Sequence, residues 1–345
     1  MTPATPFETD IAEQPPALRR LAAAAAVPDL AAIAAQKWDR IILTGMGSSY
    51  YASIPTWRHL ASLGHAAWVL DTGYVLDNPA LITSGTLLVV TSQSGASGEI
   101  VELLNQRADG RINPAMLVGI ADNEISPLAE SADLFVALHS GPEATVSTKS
   151  YLNTLGVHRF LMSAFGGQSP DQVQSELVNA AETVERILAT VDVTDAAAAA
   201  AQHPQRRLAY VGRGDESATA LFAGLITKEA AKIPAEGFVG GQFRHGPFEL
   251  AGDGLTAVMF GLGGRNPDAS LARLTRDLVA TGSHVILVGD HEFEGALTIS
   301  AGGRDAFSSL CASSVVAELF AVGLARANGV VPGEFRYGSK ITTAV

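Results

Sequence analysis

Short apolar runs alternate with amphipathic stretches along most of the chain. Five runs in the first half have no regular polar position: RIILTG, AAWVLD, TLLVVT, MLVGIA and DLFVAL. Stretches such as GEIVELLNQR lie between them and have the spacing of an amphipathic helix. Strands that are apolar on both faces are typical of a parallel sheet covered by helices on each side. The first half therefore predicts an α/β fold.

The same order of signals restarts in the second half. RLAYVGRGDESATALFAGLITKEAA repeats the sequence of strand, Gly-x-Gly loop, polar residues and helix found in RIILTGMGSSYYASIPTWRHLA. In the earlier segment the pattern predicts a helix over about 50–63. TAVMF, a helical stretch, HVILV and an apolar C-terminal helix follow. We interpret this order as a weak internal duplication of about half the chain.

Two long helical patterns without strands separate the halves, followed by an Ala-rich segment with Thr194 and Asp195 as candidate helix caps. The predicted organisation has four parts: an N-terminal helical arm at 1–35, a first α/β domain at 36–193, a second at 194–330 and a tail at 331–345. Two such lobes side by side predict a ligand cleft at the carboxyl ends of the strands.

Composition narrows the class of protein. The 345 residues exceed the usual size of one core, and the net charge of −12 argues against a nucleic-acid partner. The only cysteine, Cys311, lies in an apolar helical pattern and is expected to be a packed thiol, which fits a reducing cytosol. The early Ala-rich stretch is broken by Pro28 and Asp29, which argues against a membrane span. We expect a cytoplasmic protein without a membrane partner.

Small polar residues interrupt the third apolar run where a helical pattern follows. The segment is Ser92-Gln93-Ser94-Gly95-Ala96-Ser97, and the helix is predicted to start near Gly95. Backbone N–H groups converge at such a junction, and hydroxyl and amide groups add neutral donors. The cluster predicts an anion site suited to a phosphate monoester. Plain helix capping by serine is the structural alternative.

The glycine loops do not fit the common nucleotide-binding motifs. TGMGSSYY, which carries Ser48 and Ser49, lacks the third glycine of a dinucleotide-binding loop, and VGRGDES shares its geometry. A Walker sequence is absent, which argues against triphosphate chemistry. The eight histidines show no metal-ligand spacing, and no cofactor is predicted.

Six motifs in order carry a resemblance to a known family: TGMGSSY, TSQSG, VSTKSYLNTL, GRGDES, KEAAKIPAEGFVGGQFRHGPFEL and GSKITTAV. The chain resembles the sugar isomerase (SIS) family, and more narrowly the isomerase half of glucosamine-6-phosphate synthase and the related deaminases. The resemblance covers nearly the whole chain. It implies two tandem SIS-type α/β/α sandwich domains with parallel sheets that bind a hexose 6-phosphate.

The resemblance also implies roles for individual residues. The phosphate would be bound by Ser49, Ser92, Gln93, Ser94 and Ser97, and sugar hydroxyls by Ser48 and Ser147. Thr148 and Lys149 would support the loop that carries Ser147.

Three further residues match catalytic positions. Glu229 would transfer a proton between C1 and C2, a task suited to a carboxylate with a raised pKa. His245 would open the sugar ring from the neighbouring subunit, so a homodimer is implied. Lys340 would form a Schiff base with the open-chain sugar. A solvated helix glutamate and a solvent-exposed terminal lysine are the structural alternatives.

Departures from the synthase pattern shape the expected reaction. Cys311 is the only cysteine, so we expect no ammonia release from glutamine by a cysteine nucleophile. Ile226 and Phe222 stand where the synthase has a lysine and a glutamate. The favoured function is isomerising glucosamine-6-phosphate deamination. The alternatives are an aldose–ketose phosphosugar isomerase, a fructosamine-6-phosphate deglycase, or a non-catalytic phosphosugar sensor.

Overall fold

The computed structural model describes residues 3–24, 30–262 and 268–343, and the sequence break at Pro28 and Asp29 lies outside them. The chain divides into two compact units. The N-sheet unit comprises Pro16–Glu143, Lys149–Leu177 and Tyr337–Val345. The C-sheet unit comprises Met1–Pro15, Ala144–Thr148 and Val178–Arg336. The domain boundaries proposed from the sequence stay a prediction.

The first half of the chain has nine described helices and five strands. In order they are α1 (Pro6–Ala12), α2 (Gln14–Ala23), α3 (Ala31–Ala34), β1 (Arg40–Gly45), α4 (Ser48–Ala52), α5 (Ile54–Ser62), β2 (Ala67–Asp71), α6 (Thr72–Asp77), β3 (Thr86–Thr91), α7 (Gly98–Ala108), β4 (Met116–Ala121), α8 (Pro127–Ser131), β5 (Leu134–Ala137) and α9 (Lys149–Phe165).

The second half follows the same alternation. Its elements are α10 (Pro170–Thr190), α11 (Thr194–Gln202), β6 (Arg207–Gly212), α12 (Glu216–Ile226), a π-helical turn (Thr227–Ala231), β7 (Glu236–Val239), β8 (Leu255–Phe260), α13 (Ala269–Ala280), β9 (His284–Val288), β10 (Leu297–Ile299) and α14 (Ala306–Ala327). Two 3₁₀ turns, Gly240–Arg244 and Pro247–Leu250, follow β7.

Both sheets are parallel and have the same strand order. The first is ordered β2-β1-β3-β4-β5, and the second, counted from its other edge, is β7-β6-β8-β9-β10. The predicted α/β class with parallel sheets is confirmed. In each sheet the chain moves outward from the first strand to one edge and then returns to build the other side. The point where the direction reverses lies between the first and third strands of the sheet.

The central strands are buried because their side chains are apolar on both faces. All six residues of β3 and all six of β8 are buried. Leu88, Val90 and Ile100 belong to one core cluster in the N-sheet unit. Each fully buried aliphatic side chain contributes about 2 kcal/mol of transfer free energy. The helices that cover the sheet therefore fix the carboxyl ends of the strands, where the loops begin.

Two local predictions differ from the structure. The helix expected over 50–63 is two helices, because Pro55 lies in the first turn of α5 and cannot continue α4. Neither Thr194 nor Asp195 caps α11. Instead, the carboxylate of Asp192 accepts a hydrogen bond from the Thr194 N–H at 2.9 Å.

The C-terminal helix α14 has the length and composition of a membrane span, but 83% of its most apolar window is buried inside the protein. Cys311 lies in this helix and is fully buried. Burial raises the pKa of the Cys311 thiol well above its usual value. The expectation of a packed helical thiol is confirmed.

Candidate functional site

The first sheet places two polar loops beside each other. In the β1–β3 pair, Gly45 is in register with Thr91, so the loops after these residues start at the same edge of the sheet. The chain direction reverses between these two strands. In open α/β sheets the crevice at such a reversal is the usual place for a ligand. The serine-rich segment 92–97 and the loop that leads to Ser48 and Ser49 lie at this crevice.

Two glycines make the close approach of these loops feasible. A Cβ atom on Gly45 would lie 2.7 Å from the Thr91 carbonyl oxygen and 3.2 Å from the Ser49 Cβ. Gly95 has φ +66°, and a Cβ there would lie 2.2 Å from the Ser126 Oγ. Any larger residue at either position would displace a backbone segment or a neighbouring side chain.

Hydrogen bonds orient the backbone of segment 92–97. The carbonyls of Gln93 and Gly95 accept from backbone N–H groups of the segment that follows β4, at 3.0 and 3.1 Å. In the described part of the chain, the N–H groups of Gln93, Ser94 and Ser97 have no acceptor. The segment thus directs carbonyls toward β4 and keeps unused donors near the start of α7. This is the arrangement that a bound anion requires.

The serine hydroxyls do not act as simple helix caps. Helix α7 starts at Gly98 rather than near Gly95, and its N-cap residue, Ser97, makes no side-chain capping bond. Ser92 and Ser94 accept hydrogen bonds within the segment, from Gly95 N–H and Ala96 N–H, both at 3.2 Å. Ser92 is buried, whereas Gln93, Ser94 and Ser97 are half-buried and face partly outward. The capping alternative therefore does not account for Ser97.

The C-terminal tail lies against the same helix. The first N–H group of α7, on Gly98, donates to the Thr342 carbonyl at 3.0 Å. Two residues earlier, Lys340 forms an ion pair of 2.5 Å with Glu143. The Lys340 side chain is 21% exposed, so the alternative of a solvent-exposed terminal lysine does not describe it. The tail is docked at two points within the N-sheet unit.

Glu143 is a functional candidate that sequence reasoning missed. Its side chain is fully buried, and besides Lys340 it accepts from the Ser150 Oγ at 2.6 Å and the Ser150 N–H at 3.0 Å. Burial alone would raise the pKa of the Glu143 carboxyl, but the Lys340 ammonium and the Ser150 donors outweigh it and lower that pKa. The Pro-Glu pair just before the Ser-Thr-Lys motif was the available signal. Schiff-base formation at Lys340 would require the amine to leave this carboxylate.

Glu229 lies in an irregular turn. Residues 227–231 form a π-helical turn at the end of α12, and Lys232 ends it with φ 57°. Such turns occur frequently at functional sites. Glu229 is half-buried, whereas Lys228 is exposed. The lysine whose ammonium contacts Glu229, at its backbone carbonyl, is Lys232, which sequence reasoning also missed. Burial and the nearby Arg336 lower the pKa of Lys232, and Glu229 opposes that shift.

His245 is exposed on a firmly anchored turn. It lies between the two 3₁₀ turns that follow β7. Phe243 is fully buried, and its ring makes edge contacts with Phe238 and Phe248. The Arg244 guanidinium also lies over the Phe248 ring, 5.9 Å from its centroid. The aromatic contacts of Phe243 anchor the turn, and His245 itself is exposed.

The expected site residues fall into two groups. The N-sheet unit holds Ser48, Ser49, Ser92, Gln93, Ser94, Ser97 and Lys340. The C-sheet unit holds Ser147, Glu229 and His245. Ser147 is half-buried, and Thr148 and Lys149 beside it are buried, as a supporting role requires. Ile226 and Phe222, the departures from the synthase pattern, are fully buried.

No three His, Cys, Asp or Glu side chains are placed to hold a metal ion within the residues that the structure describes. The donors at the β1–β3 crevice are hydroxyl, amide and backbone N–H groups. Such donors match a phosphate ester better than a divalent cation, which prefers carboxylate and carbonyl oxygens.

Comparison with known proteins places the fold. Residues 35–164 match the SIS domain model. The chain is 29% identical over 260 residues to the isomerising glutamine–fructose-6-phosphate aminotransferase of Pyrococcus horikoshii, covering 74% of this chain and 43% of that protein. The chain thus spans less than half the length of the curated relatives it matches.

Two solved structures share the fold over nearly the full length. A glucosamine-6-phosphate deaminase from Thermotoga maritima has a TM-score of 0.74 at 20% identity, covering 98% of this chain and 99% of that one. A tagatose-6-phosphate ketose/aldose isomerase from Escherichia coli has a TM-score of 0.80 at 21% identity, covering 96% and 95%. The part of the chain that matches the SIS domain model, residues 35–164, contains the first sheet and its serine-rich crevice.

Proposed function

We propose that the chain is a tandem SIS enzyme that binds a hexose 6-phosphate at the β1–β3 crevice. The observation that carries this proposal is the set of unused N–H groups and serine hydroxyls at the start of α7, beside Ser49. The second sheet repeats the strand order of the first, which supports two SIS-type domains rather than one. Ser48 and Ser147 would contact the sugar hydroxyls.

The proposed reaction is the deamination of glucosamine 6-phosphate. His245 assists ring opening, which gives an aldehyde at C1. Glu229 removes the proton from C2 and returns one to C1, which leaves an imine at C2. Water then adds to that carbon and ammonia leaves, so the products are fructose 6-phosphate and ammonia. The half-buried position of Glu229 in a π-helical turn supports a positioned base rather than a solvated one.

The experiment measures ammonia and ketose phosphate from purified protein with a panel of 2-amino sugar phosphates. Glucosamine without the phosphate is the matched control substrate, and it should react at least 100-fold less efficiently because the crevice donors are then unused. Glu229→Gln should abolish turnover and keep sugar-phosphate binding within about threefold. A folded wild-type protein that releases no ammonia from any amino sugar phosphate would exclude deamination.

Ketose–aldose isomerisation of a phosphosugar without an amino group is the second candidate. The specific observation in its favour is the TM-score of 0.80 to the tagatose-6-phosphate isomerase. It would use the same crevice and the same base, but no bond to nitrogen would break. Interconversion of neutral ketose and aldose phosphates, with no ammonia from amino sugars, would select this candidate.

We also propose a homodimer in which each site takes His245 from the partner. The exposed imidazole on a rigid turn supports this arrangement. Glu229→Gln and His245→Asn variants should each be inactive alone. Mixed and allowed to exchange subunits, they should regain about a quarter of wild-type activity, because half the dimers then carry one intact site of two. No recovery after proven exchange would place both groups in one subunit.

A further inference from the structure

A fully buried histidine lies behind the two crevice loops. His158 is 1% exposed and occupies the middle of α9. Its Nε2 atom lies 3.2 Å from the Ser53 Oγ and 3.1 Å from the Thr91 Oγ1, and its Nδ1 atom lies 3.0 Å from the Thr56 Oγ1. All three hydroxyl partners belong to residues that are fully buried. One imidazole thus joins the α4–α5 junction to the end of β3.

The partners of His158 connect directly to both loops. Thr91 is the last residue of β3 and precedes Ser92. Ser53 donates from its Oγ to the Ser49 carbonyl at 3.0 Å. A continuous chain of hydrogen bonds therefore runs from the Ser49 backbone through Ser53 and His158 to Thr91. It ties the loop after β1 to the segment after β3.

The protonation state follows from the partners. Ser53 gives its hydroxyl proton to the Ser49 carbonyl, so it accepts from His158, which places the ring proton on Nε2. Nδ1 then accepts from Thr56, and the imidazole is neutral. Burial lowers the pKa of His158 to about 3. The neutral ring shares its one Nε2 proton between the Ser53 and Thr91 oxygens and accepts from Thr56 at Nδ1, contacts that an aliphatic side chain would remove.

We propose that His158 is a positioning residue for the phosphate site, holding Ser49 at a fixed separation from the 92–97 segment. The inference rests on the proposed phosphate-binding function and adds a residue that touches no substrate. A phosphate ester has oxygens at fixed separations. Donors on two separate loops must therefore lie at matching separations to bind the same phosphate. Without the link, each loop would keep its donors, but their relative placement would vary.

The test compares His158→Leu with His158→Gln. Leucine removes every ring hydrogen bond, whereas the glutamine amide can donate to Ser53 and Thr91 and accept from Thr56. The dissociation constant of inorganic phosphate is measured by calorimetry or ³¹P NMR, which requires no knowledge of the reaction. We expect His158→Leu to weaken phosphate binding at least about tenfold and His158→Gln no more than threefold. With a turned-over substrate, KM should rise while kcat changes less than twofold.

Asn153→Leu is the matched control. Asn153 lies on the same helix, is fully buried, and donates to the Ala17 and Leu138 carbonyls at 3.1 and 2.8 Å, away from both loops. Its loss should lower the melting temperature without changing the phosphate dissociation constant. If His158→Leu binds phosphate as tightly as wild type, the positioning role is excluded.

Two further variants keep the inference testable if His158→Leu does not fold. Thr91→Val and Ser53→Ala each remove one hydroxyl on the path, and each should weaken phosphate binding about threefold. Unchanged binding in both would overturn the inference.

Ser94→Ala distinguishes failure of the proposed phosphate site from failure of the positioning role of His158. If Ser94→Ala weakens binding and the His158 variants do not, the phosphate site stands and the positioning role fails. If wild type binds neither phosphate nor sugar phosphate, both fail.

Discussion

The two sheets have the same strand order, but the side chains at equivalent positions of their first loops differ in charge. The fourth residue after the glycine that ends the first strand is Ser49 in the N-sheet unit and Glu216 in the C-sheet unit. Gly212, like Gly45, approaches the loop closely: a Cβ there would lie 1.9 Å from the Glu216 carbonyl oxygen. The backbone geometry is repeated, and the side chains are not.

The second crevice is charged where the first is neutral. Arg213 pairs with Asp268 at 3.1 Å and donates to the Ser270 Oγ at 2.7 Å. Glu216 is half-buried and accepts from the Ser313 Oγ at 2.9 Å. Burial raises the pKa of the Glu216 carboxyl to about 7. A sheet reversal supplies a crevice in each unit, but the phosphate site that we propose depends on the neutral donors of the first crevice.

Introducing the charge of the second crevice into the first should have the largest effect on phosphate affinity. Ser49→Glu places a carboxylate in the N-sheet crevice, and two like charges about 4 Å apart repel by about 4 kcal/mol near a protein surface. We expect at least a 100-fold loss of phosphate affinity, measured by calorimetry at fixed ionic strength. Ser62→Glu, at an exposed position of α5, is the control and should change affinity less than twofold. Retained affinity in Ser49→Glu would show that the anion binds elsewhere.

Stability of the N-sheet unit should fall in acid because of His158. The pKa of this histidine is lowered from 6.5 to about 3, so the unfolded chain binds a proton over that window while the folded chain does not. The free energy of unfolding should decrease by up to about 1.4 kcal/mol per pH unit as the pH falls below 6.5. Denaturant titrations at pH 6.5 and 5 give the slope, and His158→Gln should remove it. An equal slope in that variant would contradict the assignment.

The C-sheet unit should respond with the opposite sign over a narrower window. The pKa of Glu216 is raised from 4.5 to about 7, so the folded state retains a proton that the unfolded chain has lost. Its contribution to stability is present below pH 4.5 and is lost as the pH rises toward 7, again by at most about 1.4 kcal/mol per unit. Glu216→Gln should flatten this part of the profile. Unfolding monitored at pH 5 and 7 tests it.

Removing the ion pair of the C-terminal tail should have the smallest effect, because it changes only the local stability of the tail. Lys340→Met removes the ion pair with Glu143, which we expect to be worth about 1 kcal/mol at this partly exposed lysine. Hydrogen exchange in residues 337–343 should then be about fivefold faster. Arg111→Met, which breaks an exposed pair with Glu102, is the control. Unchanged exchange would mean that the Thr342 carbonyl contact alone holds the tail.

Sequence patterns predicted the class of fold well because its signals are local. Uninterrupted apolar runs correspond to the central strands, as in β3 and β8. The edge strands β7 and β10 were not predicted, because they have four and three residues and weak apolar character. The break between α4 and α5 follows from Pro55, whose effect depends on its position within the helical turn.

The sequence motifs predicted most of the candidate site residues. The residues whose role depends on buried contacts were missed. His158 is a single polar residue in an apolar helical pattern, and its role depends on three hydroxyls that are distant in sequence. Glu143 likewise gains its meaning from Lys340, nearly two hundred residues away. Pairings of this kind are set by topology, so periodicity and composition do not contain them.

The sealed thiol of Cys311 makes the protein a convenient host for spectroscopic probes. A cysteine introduced on the His245 turn or on the tail would be the reactive sulfur, since the native one lies inside α14 and resists ionisation. Fluorophores or spin labels could then be attached without first removing a natural residue. Donor and acceptor placed on the two units would report directly how far apart they stand before and after a sugar phosphate is added.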